Sequence, residues 1–263
     1  MQLPIGTFDT ASIASTDDAV RALQSNDFMI RRMALASSWL PKRFLVVLRK
    51  NPNGGIRAAV ASNPQAEPDW LETFAVDGNE WVRAAVAANP ATGQALLATL
   101  AKDGQWWVRL GVAMNPTASQ ETLAPLVDDP MPDVRQGLVG NPSCPITCLR
   151  RFALDPQEQI RNAVAGHPRA DAELLTLLAG ESDEWLIRRT IAERPDAPAE
   201  VLARLGTDPE VEVREAVAAN PSAGLEVLGA LALDSELPVR RAAHRNPSSD
   251  AEVRASAVLM GLG

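Results

Sequence analysis

Apolar residues in this chain fall at helical spacing, and the same arrangement returns at a fixed interval. In Glu80-Trp81-Val82-Arg83-Ala84-Ala85-Val86-Ala87-Ala88-Asn89-Pro90, residues Val82, Ala85, Val86 and Asn89 share one side of a wheel drawn at about 100° per residue, which predicts a helix and no strand. A Val or Ile before an Arg marks each copy: Arg31, Arg57, Arg83, Arg109, Arg135, Arg161, Arg188, Arg214 and Arg240. Every step is 26 residues except the 27 from Arg161 to Arg188. A period of this length predicts a stacked array in which each unit touches its neighbours, and it argues against one globular core around an active site.

A second apolar pattern precedes each Arg helix. Leu71 and Phe74, Leu97 and Leu100, Leu123 and Leu126, and their later counterparts sit seven and ten residues after the Pro of a recurring Asn-Pro pair. We call this first helix A and the Arg helix B. Asn is a good N-cap and Pro suits the first helical position, so Asn63, Asn89, Asn115, Asn141, Asn220 and Asn246 are expected to start helix A. An acid thirteen residues after the Pro (Asp77 to Asp234, with Glu181 in the 27-residue step) is expected to end it. Small residues such as Ala85, Gly111 and Gly137 on helix B allow close helix approach. The expected organisation is a tail over residues 1–14, repeats over 15–247 and a C-terminal capping helix over 248–263.

The frame N-P-x-x-x-x-x-x-L-x-x-L-A-x-D, with the Arg of V-R-x-A-V-A six residues later, resembles the leucine-rich repeat variant family, which is related to HEAT and armadillo repeats. The L-x-L-x-x-N strand of ordinary leucine-rich repeats is absent. The resemblance implies an all-α, right-handed α-α superhelix of about nine two-helix repeats, some helices being 3₁₀, and a role in protein interaction. It also implies an acid-to-Arg ladder joining successive units: Asp77 with Arg83, Asp103 with Arg109, Asp129 with Arg135, Asp155 with Arg161, Asp208 with Arg214 and Asp234 with Arg240. Some family members carry a Cys-rich iron-sulfur module before the repeats; no Cys precedes Cys144 here, so that activity is not carried over. His167 and Arg194 stand where the pattern has Asn, and an irregularity is expected there.

Composition narrows the function. A net charge of −8 makes the field repulsive to phosphate backbones, which disfavours the alternative of a nucleic-acid-binding or DNA-glycosylase-like repeat protein. No apolar run reaches the ~18 residues of a membrane span, and the N-terminus lacks a signal-peptide pattern, so a soluble cytoplasmic protein is expected. Cys144 and Cys148 are one helical turn apart, but Cys148 falls on an apolar repeat position with no third ligand adjacent, so a metal or redox protein is not expected. Neither His167 nor His244 has catalytic partners in the pattern. No catalytic residue, cofactor or metal is expected.

The positions two before, one after and five after each Arg form a solvent-facing stripe on helix B. Trp81, Trp107, Leu110 and Met114 make it aromatic and apolar in repeats 3 and 4, whereas Arg189, Glu193, Glu212, Glu215 and Arg241 make it charged later. The expected function is a non-catalytic scaffold that binds a protein or peptide along this stripe, with Trp81, Trp107, Leu110, Met114, Arg189 and Arg241 as candidate contacts. Trp81 and Trp107 are equally expected as a staple between adjacent helices.

Overall fold

The structure, a computed structural model, describes residues 15–23, 28–181 and 184–261. The predicted tail over residues 1–14 lies outside them. Among the described residues there are helices and no strands, and the chain divides into two compact units, Met1–Pro145 and Ile146–Gly263. Unit 1 contains α1 (Thr16–Leu23), α2 (Phe28–Ala36), α3 (Lys42–Leu48), α4 (Gly54–Ala61), α5 (Pro68–Phe74), α6 (Glu80–Ala88), α7 (Gln94–Leu100), α8 (Trp106–Met114), α9 (Gln120–Leu123) and α10 (Pro132–Val139). A 3₁₀ helix, Ala124–Asp128, continues α9, with Pro125 in its first turn. Unit 2 contains α11 (Ile146–Phe152), α12 (Glu158–Gly166), α13 (Ala172–Glu181), α14 (Trp185–Ala192), α15 (Ala199–Leu205), α16 (Val211–Ala219), α17 (Leu225–Leu231), α18 (Leu237–Arg245) and α19 (Ala251–Leu259).

Helix B packs on helix B of the next repeat: α4 on α6, α6 on α8 and α8 on α10 in unit 1, and α12 on α14, α14 on α16 and α16 on α18 in unit 2. Helix A is two turns long in most repeats and too short to hold itself together in water, so its stability comes from burying the Leu pair against helix B. Leu97, Leu100, Val108 and Val112 are all at most 2% exposed. Small residues set the helix-B spacing. A Cβ on Gly111 would stand 2.9 Å from the Ala87 Cβ and 3.0 Å from the Ala84 carbonyl, so α6 and α8 approach closely at that point.

The Asn-Pro pair does not start helix A. Asn89 is the C-cap of α6, and α7 begins only at Gln94. The Asn side chain is taken up elsewhere. Its Oδ1 accepts from the Ala91 amide (2.9 Å), forming a turn that Pro90 favours, while its Nδ2 donates to the carbonyls of Ala61 (2.6 Å) and Asn63 (3.1 Å) at the end of the previous helix B. The Ala61 carbonyl has no partner inside its own helix and the buried amide satisfies it, while the Asn63 carbonyl also accepts from the Ala66 amide at 2.9 Å. Asn63, Asn115, Asn141, Asn220 and Asn246 repeat the same contacts.

At His167 and Arg194 themselves part of the Asn contacts is kept, and the irregularity falls between them, where α13 runs on to Glu181. His167 Nδ1 accepts from the Arg169 amide (3.0 Å), as the Asn oxygen does. Arg194 Nη1 donates to the carbonyls of Ala165 (2.9 Å) and His167 (2.7 Å), as the Asn amide does, and Asp196 pairs with the remaining edge of the guanidinium. His167 thus reproduces the turn-closing half of the Asn contacts and Arg194 the carbonyl-binding half.

Candidate functional site

The Arg ladder lies along one edge of helix B. Its carboxylate contacts differ from the six-residue pairs named from the sequence: Arg83 Nε and Nη2 grip Asp103, 20 residues on, at 2.7 and 3.1 Å, while Nη1 donates to the main-chain carbonyl of Asp77 at 2.8 Å. Arg57 pairs likewise with Asp77, Arg109 with Asp129, Arg188 with Asp208 and Arg214 with Asp234. The six-residue contacts of Arg109 with Asp103, Arg135 with Asp129, Arg161 with Asp155, Arg214 with Asp208 and Arg240 with Asp234 also run to the acid's carbonyl. The geometry has a simple cause. The Arg side chain leans toward the N-terminus of helix B, where one edge of its planar fork meets the incoming turn and the other faces the next repeat.

In the 27-residue step, helix A runs on through Glu181, and Arg161 takes its carboxylate from Glu184 instead. The ladder stops at Arg240. Met260 holds the position 20 residues on, and Arg240 Nε is buried with no hydrogen-bond partner.

These contacts set the charge state of the acids. Hydrogen bonding from Arg57, together with the Asn79 amide, holds the Asp77 carboxyl below its ordinary range against the opposing effect of burial. At Asp103, Asp129 and Asp234 burial is the largest influence and acts upward, but the Arg and backbone-amide hydrogen bonds together outweigh it and the net shift is down. The ladder is therefore a set of paired ions, with its Arg charges turned inward rather than presented as a basic surface.

The helix-B stripe carries the surface features. In unit 1 the indoles of Trp81 and Trp107 stack with centroids 5.4 Å apart and planes 12° from parallel, and Trp106 meets Trp107 edge-on. They border an open groove of ≈ 730 Å³ that also takes in Leu110 and Met114. The structure thus brings all four unit 1 candidates together. Trp81 is 58% exposed and Met114 62%, while Trp107 and Leu110 are half-buried. The far wall is Gly55 and Ala58 of α4 and its C-cap Ser62, which sequence reasoning did not select. Their signal was the register itself: Gly55 occupies in repeat 2 the position of Trp81 in repeat 3, leaving room beside the indole.

In unit 2 Arg189 pairs with Glu193 at 2.8 Å and lines a smaller groove of ≈ 370 Å³ with Glu212 and Glu215. Arg241, exposed on α18, is not part of that groove. Sequence reasoning also missed a stack on the helix-A side, where the Arg49 guanidinium lies 5.3 Å from the Trp70 ring centre. Cys144 and Cys148 are buried, and among the described residues no group of three His, Cys, Asp or Glu side chains is placed to hold a metal.

Two-helix units joined by repeated Asn and Arg contacts define an α-helical repeat protein. Three of its repeats, residues 106–131, 185–210 and 211–236, match the profile of the family described as "Leucine rich repeat variant". A solved structure described as "a leucine-rich repeat variant with a novel repetitive protein structural motif" is similar at 26% identity and TM-score 0.61, over 91% of this chain and 89% of that one. A computationally designed armadillo repeat protein for modular peptide recognition aligns at 17% identity over 92% and 99% of the two chains, but its TM-score of 0.27 carries no argument. No curated protein matches the chain. Among the described residues no helix is long and apolar enough to cross a membrane.

Proposed function

We propose that the protein is a non-catalytic scaffold that binds a protein or peptide on its helix-B surface, and that the unit 1 groove is the binding site. The observation that carries this reading is the stacked Trp81–Trp107 pair standing open at the edge of an apolar groove. Aromatic and Met side chains are favoured at contact hot spots, and an exposed apolar patch on a polar surface is stabilised when a partner covers it. The groove volume falls within the range of sites that hold a few side chains.

The test is a selection of peptides from a random displayed library on the wild-type protein, followed by rebinding to Trp81→Ala and, as a control on the charged stripe, Glu212→Ala. Peptides that lose affinity at Trp81→Ala by ~2 kcal/mol and keep it at Glu212→Ala support the reading. Selected peptides indifferent to Trp81, or a Trp81→Ala protein whose thermal unfolding drops as far as that of a core variant, assign the pair to the staple role and overturn it.

A further inference from the structure

Resting on that reading, we infer that the groove takes an extended basic segment: one cation stacked on the open face of Trp81, an apolar side chain against Leu110 and Met114, and a second cation at Asp133. Three features of the molecule point to this occupant.

The first is the shape around Trp81. Trp107 covers one face of the Trp81 indole, and the groove continues past Trp81 over Gly55, Ala58 and Ser62, where no bulky side chain stands. The slot admits a flat or slender group alongside the ring. An indole face attracts a guanidinium or ammonium more strongly than any other protein ring does. This chain makes such a stack within itself, with Arg49 over Trp70.

Charge is the second feature. Across α4, α6, α8 and α10 the stripe positions hold one charged residue, Asp133, which is exposed and occupies in repeat 5 the place of Trp81 and Trp107 in repeats 3 and 4. The Arg side chains of these helices are engaged in the ladder along another edge. The stripe therefore offers a π face and a carboxylate with no cation between them, on a chain of net charge −8. Adjacent helices lie ~8–10 Å apart, so α6 to α10 spans ~16–20 Å, the reach of about five or six extended residues.

Size is the third. An aromatic side chain presents ~150–250 Å² in all, so Trp81 and Met114 at their observed exposures leave a few hundred Å² uncovered, well short of the ~800 Å² each partner of a stable dimer contributes. A short segment fits where a second copy of the chain does not.

The experiment measures anisotropy of dye-labelled, amidated peptides with the full-length protein at two salt concentrations. The basic probe is Lys-Arg-Ala-Leu-Ala-Lys-Arg; a neutral probe has Gln and an acidic probe has Glu at every basic position. The expected order is basic above neutral, with no binding of the acidic peptide. Trp81→Leu, which keeps apolar packing and removes the ring, should weaken the basic peptide by about fivefold to tenfold, and Asp133→Asn by about two- to fourfold with a shallower salt dependence. Equal affinity for basic and neutral peptides, with both dependent on Trp81, overturns the cation inference and leaves the scaffold reading standing. Basic binding unchanged by Trp81→Leu overturns the inference as mere attraction to an acidic protein. If no selected peptide depends on Trp81 either, the scaffold reading falls with it.

Discussion

Units 1 and 2 share one frame and differ in what they display on it. In both, guanidinium groups tie helix B to the acid of the following turn, as Arg83 does with Asp103 and Arg214 with Asp234, and a side chain at the end of helix B satisfies carbonyls of the previous repeat. The helix-B stripe, one edge away, is Trp81, Trp107, Leu110 and Met114 in unit 1 and Arg189, Glu193, Glu212 and Glu215 in unit 2. The frame residues are largely buried and hydrogen-bonded to backbone, so their demands do not vary from repeat to repeat. Stripe residues project from the same helices without entering those contacts. Surface chemistry can change from repeat to repeat with no change in the stacking.

The strongest way to break the shared frame is to remove a ladder Arg. Arg109 holds Asp129 at 2.6 Å, and the acid side chain is only 3% exposed. Arg109→Ala should cost on the order of 3 kcal/mol by stranding that carboxylate, and Arg109→Ala with Asp129→Ala should cost less than the sum of the singles. Chemical denaturation measures both; additive losses would remove the pair from the frame. The pH dependence has a definite sign. Asp77, Asp103, Asp129 and Asp234 have folded pKa values below their unfolded ones, so their contribution is complete above about pH 4 and is lost as pH falls through the lowered folded values. Asp129→Asn should therefore flatten the acid limb of the stability profile.

A smaller effect tests whether the two units meet the carbonyl demand in equivalent ways. Asn89→Ala in unit 1 and Arg194→Ala in unit 2 each leave one buried carbonyl, that of Ala61 or Ala165, without a donor and remove a second bond to Asn63 or His167, whose carbonyls keep the Ala66 and Ala170 amides; each should cost about 2 kcal/mol. Arg194→Asn restores the residue used elsewhere and should recover most of that loss. An Arg194→Asn protein as unstable as Arg194→Ala would show that the pairing with Asp196, not the carbonyl contacts, is what unit 2 needs.

The fold was legible because its signals are periodic. Val82 and Leu97 recur in register with counterparts that are buried from repeat 3 to repeat 9, and no tertiary knowledge is needed to see that spacing. The role of Asn89 was not legible, since an Asn before a Pro fits a helix start and a helix-end turn equally well, and only the position of the previous repeat's carbonyls decides between them. Ladder pairing failed for a related reason: a period of 26 brings residues 20 apart as close as residues six apart, and the sequence does not say which edge of the guanidinium meets which. The groove was half legible. Trp81 and Met114 announce themselves, whereas Gly55 and Ala58 contribute by being small, which reads in sequence as ordinary helix packing.

The smallest effect sharpens the comparison at the point where the frame runs out. Arg240 keeps the inner half of the ladder contact, donating from Nη1 to the carbonyls of Asp234 and Ser235 at 2.7 Å, but its Nε is buried and unpaired because residue 260 is Met. The missing acid also shows in the backbone: α17 ends at Leu231, ahead of Asp234, while α19, which starts in the same register, runs on to Leu259. In the earlier repeats the Asp side chain accepts from the amide two residues on and so turns the chain away from the helix, as at Glu236. Met260→Asp supplies both functions, a carboxylate for Arg240 and a turn after helix A. Met260 is 46% exposed, so little packing is lost with it. Satisfying a buried charged donor contributes about 1 kcal/mol, partly offset by reshaping the end of α19, so the net expectation is a stability gain of about 0.5–1 kcal/mol, seen as a higher denaturant midpoint at unchanged m value. Met260→Asn, which can make the turn but not the ion pair, should gain less. If the two variants are equally stable, the unpaired guanidinium is no deficit, and the ladder's contribution in both units rests on its carbonyl contacts alone.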